Sequence, residues 1–169
     1  MGWFDDMFKD AAFTTSTGPA KDSNNLNQSV YNVSDVDNPS NYNQSTQISD
    51  YDQMISNLAP QYDTTSENLE DIMNRISYHE TGPSQRMDST TIQEGGGPGR
   101  GLFQFESGPK GSETGGGATA MGYLRQYYRD ELNQEPPAWT EYDISKGVDA
   151  SKLTPEQQKM MFLANTAMS

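Results

Sequence analysis

Cysteine is absent from this 169-residue chain, and histidine occurs once. Disulfides are therefore excluded, and a Cys/His zinc site cannot be assembled. Positive charge is scarce too: 11 Lys and Arg face 24 Asp and Glu, giving a net charge of -13. An acidic surface repels nucleic acid and anionic membrane, so neither is expected as a direct partner. Apolar residues make up 32% of the chain, below the share usual in a globular domain. A core drawn evenly from the whole sequence is excluded, and some part must be extended or unfolded. No apolar run approaches the ~20 residues of a membrane span. The first residues, Met1-Gly2-Trp3-Phe4-Asp5-Asp6, lack the basic region and apolar core of a signal peptide. Asp6 stands where the myristoylation pattern needs Ser or Thr.

What is present divides into three parts. Residues 1–13 are amphipathic: Trp3, Phe4, Met7, Phe8 and Ala11 recur at helical spacing, with Asp5, Asp6, Lys9 and Asp10 between them. Membrane-lying helices are basic on the polar face; this one is acidic, so it docks on a protein partner or packs on its own domain. Residues 14–63 are rich in Ser, Asn, Gln, Thr, Asp and Tyr. So little apolar surface cannot offset the entropy of ordering, and an extended or disordered polar arm is expected. Tyr31, Tyr42, Tyr51 and Tyr62 recur at roughly even intervals, as in an arm laid along a partner or a solvated linker. Met54, Ile55 and Leu58 add one helical turn before Pro60.

From residue 64 the pattern becomes helical. Thr64 and Glu67 fit a capping box, opening a helix over 65–80. Leu69, Ile72, Met73 and Ile76 form one apolar stripe, and Glu80 falls on the same face, where it is expected to be partly desolvated. Gly82 and Pro83 stop the helix. Residues 81–117 are loop-rich, with Gly95-Gly96-Gly97-Pro98-Gly99-Arg100-Gly101 and Gly115-Gly116-Gly117 bracketing Leu102-Phe103-Gln104-Phe105. The Gly-Lys-Ser/Thr ending of a P-loop is missing, and no strand precedes the glycines as a dinucleotide site requires. A second helix is predicted over 118–133, with Ala120, Leu124, Tyr127 or Tyr128, and Leu132 inward. A short helix over 140–146 is a further option. The last helix opens with Thr154-Pro155-Glu156-Gln157, a capping box with proline at the first helical position, and buries Met160, Met161, Leu163, Ala164 and Met168.

The order Glu80 at a helix end, a polar loop, then Gly101-Leu102-Phe103-Gln104 resembles the lysozyme-like superfamily, in its branch of lytic transglycosylases and goose-type lysozymes. The resemblance covers residues 67 to 169. It implies a mainly α fold: a lysozyme-like helical domain, whole or partial, over 64–169, preceded by the amphipathic segment 1–13 and the arm 14–63. Such domains usually run on for several more helices, so a longer natural chain is one expectation. The resemblance also implies an enzyme, a peptidoglycan lytic transglycosylase or muramidase of a bacteriophage virion. It would open the cell wall locally during genome ejection, from the tail or the internal ejection components, and act in the wall or periplasm. The implied partners are the glycan strand and, through residues 1–63, other virion proteins. No cofactor or metal is implied. The alternative is an inactive structural virion or tail assembly protein that keeps the fold.

By resemblance, Glu80 is the general acid, returning as base in a transglycosylase while the substrate's own N-acetyl group assists. Gln104, Phe103 and Gly101 belong to the cleft floor. Phe103 and Phe105 are expected to divide between core and cleft, and Tyr123, with Tyr127, Tyr128 and Trp139, between core and aromatic walls. Asp88, Glu94 and Glu106 remain open as a second carboxylate, and His79 is read as a structural hydrogen bonder. The chain departs from the family at three points. Thr81 replaces the usual Ser after the acid, the stretch from Glu80 to Gly101 is longer, and no later helix carries a cleft tyrosine.

Overall fold

The structure, a computed structural model, describes residues 49–112 and 115–169. The amphipathic start and most of the polar arm therefore lie outside the described residues. Within them the fold is mainly α: helices α1 (Asp50–Leu58), α2 (Ser66–Glu80), α3 (Gly116–Asp130) and α4 (Pro155–Met168), joined by loops and short 3-10 turns. One two-stranded antiparallel sheet interrupts them, β1 (Gly99–Arg100) against β2 (Phe105–Glu106), with Arg100 opposite Phe105. Among the described residues no helix is long and apolar enough to cross a membrane.

Helix α4 is the centre of the packing. Thr154 Oγ1 accepts from the Gln157 amide and Gln157 Oε1 accepts from the Thr154 amide, so the expected capping box is in place. Its middle, Met160 to Ala164, is buried all round, as a helix becomes when neighbours cover every face. Helices α1 and α3 both pack on it. On α3 the expected inward residues are buried, with both Tyr127 and Tyr128 inside. That helix starts two residues earlier than predicted and ends at Asp130, three residues short of the predicted end. Gly117 permits the early start: a Cβ there would lie 2.9 Å from the Val148 carbonyl oxygen.

Two expectations are corrected here. The polar arm does not extend to residue 63, because α1 and the 3-10 turn Ala59–Tyr62 belong to the helical core. Tyr51, Met54, Ile55 and Leu58, at i, i+3, i+4 and i+7, are all buried. Ser49 caps the helix by accepting from the Asp52 amide, and Asp50 and Asp52 favour its positive end. Nor does a helix form over 140–146; the chain makes a 3-10 turn at Ala138–Thr140 instead.

A polar cluster ties α1, α2 and α4 together. The Tyr51 hydroxyl donates to Glu70 Oε2, and Lys159 Nζ pairs with Glu70 Oε1. Burial alone would raise the Glu70 pKa, but the hydrogen bonds from Lys159 and Tyr51 prevail and lower it. A carboxyl whose pKa falls on folding stabilises the native state above its unfolded value, ~4.3. That contribution is lost as pH drops through the folded value. Acid titration followed by circular dichroism should therefore show stability declining below about pH 4.3, and Glu70→Gln should flatten the decline. An unchanged slope would remove Glu70 from the acid sensitivity.

Candidate functional site

The last turn of α2 and the loop after it shape an open cleft of about 540 Å³. Glu80 and Gln104, far apart in the chain, both line it, together with Gln93 and Glu94. Glu80 is the final residue of α2, and the helix stops as the sequence predicts, with Gly82 at φ 70 and Pro83 next. Thr65 caps the other end by accepting from the Asn68 amide, one residue later than the predicted Thr64.

Glu80 is exposed, as are Tyr78 and His79. The stripe below it, Leu69, Met73 and Ile76, is buried. Helical phase places Glu80 above that stripe, but the residue is exposed and lines the open cleft. The expected partial desolvation of Glu80 is thus not found.

Thr81 anchors the loop that follows. It is buried; its hydroxyl donates to the Ser77 carbonyl (2.8 Å) and accepts from the Met87 amide (2.8 Å). The hydroxyl is the part in use, so Thr81→Ser should keep the loop while Thr81→Val strands the Met87 amide. Valine should cost about 1–3 kcal/mol and serine much less. Denaturant melts of the two variants check this, and equal losses would count against the hydroxyl.

The sheet and its turn hold Gln104 at the cleft. The Gly101 amide donates to the Thr91 carbonyl, and the Gln93 amide to the Gly99 carbonyl. Gln93 Oε1 accepts from the Gly99 amide, and Gln104 Nε2 donates to the Gly101 carbonyl (2.7 Å). Gln104 itself takes the left-handed conformation at φ 48. The same bonds hold the turn and fix the Gln104 side chain at the cleft wall.

Other expected site residues are distributed differently. Phe103 and Phe105 are both buried, and Phe103 stacks on Phe162 at 4.4 Å. The expected division of the pair between core and cleft is corrected: both belong to the core. Gly101, expected in the cleft floor, does not line the cleft; at φ 75 it sits against Gln158. Tyr123 is half-buried on α3 and does not line the Glu80 cleft. Of the three open carboxylates, Glu94 alone lines that cleft. Asp88 accepts from the amide and hydroxyl of Thr90, bonds that lower its pKa, and serves the loop.

Gln158 belongs to no motif in the sequence. Fully buried, it accepts from the Leu102 amide through Oε1 (2.6 Å) and donates through Nε2 to the carbonyls of Ser89 and Leu153 (2.9 Å each). One α4 side chain thus fixes the loop at Ser89 and the Gly101–Gln104 turn. Its signal was a glutamine three and four residues ahead of Met161 and Phe162, on the buried side of the helix. The chain matches no protein-family model, no curated protein and no solved structure.

Proposed function

We propose that this protein cleaves the glycan strand of peptidoglycan, with Glu80 as the proton donor. The observation that carries the proposal is that Glu80 and Gln104 line one open cleft. Glycoside cleavage needs an acid on the leaving oxygen and a fixed polar wall to orient the sugar. Glu80 at the helix end supplies the first, and Gln104, held by its own turn, supplies the second. A strand laid in the cleft would cover the exposed carboxylate and exclude water from it. Glu94 is the cleft's other carboxylate, available to a water or to positive charge developing on the sugar. The resemblance to lytic transglycosylases and goose-type lysozymes agrees with this assignment. It extends it to a bacteriophage virion protein that opens the wall during genome ejection, with residues 1–63 as the candidate attachment to other virion proteins.

The exposure of Glu80 favours a second reading, an inactive structural virion protein that keeps the fold. Digestion of purified peptidoglycan by the full chain separates the two: release of soluble muropeptides supports the enzyme, and intact glycan supports the structural protein.

A further inference from the structure

A second groove, of about 450 Å³, opens beside β1. Arg100, Lys146 and Lys152 line it, three of the 11 Lys and Arg in a chain of net charge -13. Lys110 stands nearby: its Nζ and the Tyr142 hydroxyl come within 3.8 and 3.7 Å of the position a Cβ on Gly122 would take. The groove also holds two acids, Asp149 and Glu141. Asp149 is already committed, accepting from the Ser151 amide (3.2 Å) and hydroxyl (2.6 Å) and facing Lys152 at 3.5 Å and Arg100 at 4.0 Å. Lys146 reaches Asp143 at 3.3 Å but remains 81% exposed. With Lys110 and Asp143 counted, four cations face three acids, a local excess of positive charge against the sign of the whole molecule. Trp139 and Tyr142 add aromatic surface to the same walls.

The groove's position is as informative as its charge. Successive residues of a strand point to opposite faces. At Gly99 the neighbours are the side chains of Gln104 and Gln93, which line the Glu80 cleft. Arg100, the next residue, lines the second groove. The two depressions thus lie on either side of one short strand.

We propose that this groove is a second binding site, for short peptides bearing free carboxylates, such as the stems that branch from a glycan strand. The peptide identity rests on the glycan-cleaving reading; the carboxylate chemistry rests on the groove alone. Lys146 and Lys152 meet the carboxylates, Arg100, whose Nη1 donates to the Gly97 and Gly99 carbonyls, adds charge at the wall, and Trp139 and Tyr142 cover the apolar parts of the peptide. A local positive field in an acidic protein also offsets the repulsion between this chain and an acidic wall.

The test is calorimetric titration of the full chain with the tetrapeptide Ala-D-Glu-Lys-D-Ala, and with the same peptide amidated at its carboxylates. The free-carboxylate form is expected to bind at least ~10-fold more tightly, with affinity falling as salt rises, and to shift the Trp139 indole resonance. Lys146→Gln with Lys152→Gln should remove most of that preference without changing Tm, since both side chains are largely exposed. Equal binding of the two peptides, or an unmoved indole signal, overturns the proposal. Inorganic phosphate competing as well as the peptide also overturns it, in favour of a general anion site. Peptide binding by a protein that leaves peptidoglycan uncut would sustain the carboxylate site and end the glycan-cleaving reading. Cutting without peptide binding would do the reverse.

Discussion

Glu80→Gln should lower cleavage of purified peptidoglycan by at least ~100-fold, the lower end for loss of general acid–base catalysis. Glutamine keeps the shape and polarity of the side chain but has no proton to transfer. The fold should be unaffected, because Glu80 is exposed and the turn behind it is held by Thr81, Ser77 and Met87. A Tm within a degree or two of wild type, with activity gone, is the expected pair of results. Gln104→Ala should reduce activity less, since it disturbs sugar orientation and leaves the proton donor in place. It also removes the bond to the Gly101 carbonyl, so a small loss of Tm is expected. Equal cleavage by wild type and Glu80→Gln would take the catalytic role away from Glu80. Failure of wild type to cut any of several wall types would favour the structural protein.

Local signals in the sequence were read well where they stood alone. Thr154-Pro155-Glu156-Gln157 contains every group its cap needs, and the cap forms as written. The cap of α2 was displaced by one residue for a reason the capping pattern cannot carry. Asp63 takes φ 51 and the Thr64 amide still bonds the Ala59 carbonyl, so the preceding turn is not finished at Thr64. Thr65 is the residue with the extended backbone that a cap requires. Helix α1 is legible only as the single turn at Met54, Ile55 and Leu58, because its four apolar positions lie at the end of a long polar stretch whose overall composition reads as unfolded. What settles them is the surface of α4, which no local pattern reveals. Tertiary packing likewise decided Phe103 and Phe105. The resemblance implied one ring in the core and one at the cleft, but the turn between β1 and β2 sends both rings to the core, with Phe162 covering one. The Glu80 cleft was legible as a pair of motifs. Its support by Gln158 was not, since that contact spans from the last helix to two loops.

Gln158→Leu is the substitution expected to cost the most stability. Leucine fills similar volume but leaves the Leu102 amide and the carbonyls of Ser89 and Leu153 without their glutamine partner. Each buried polar group stranded in this way costs about 1–3 kcal/mol, so a total on the order of 3–5 kcal/mol and a Tm lower by roughly 10 °C or more are expected. Gly101 tests the same contact from the other side. At φ 75 an alanine pays about 1–2 kcal/mol for the left-handed backbone, and its Cβ would lie 2.2 Å from Gln158 Oε1. Gly101→Ala should therefore approach Gln158→Leu in severity. Gly101→Ala combined with Gln158→Ala should cost less than the sum of the two singles, because removing the amide also removes the collision. Strict additivity in urea melts would mean that the turn and the amide do not meet as described. Glycan cleavage should fall in every one of these variants, since the turn that fails is the one that holds Gln104 at the wall of the Glu80 cleft.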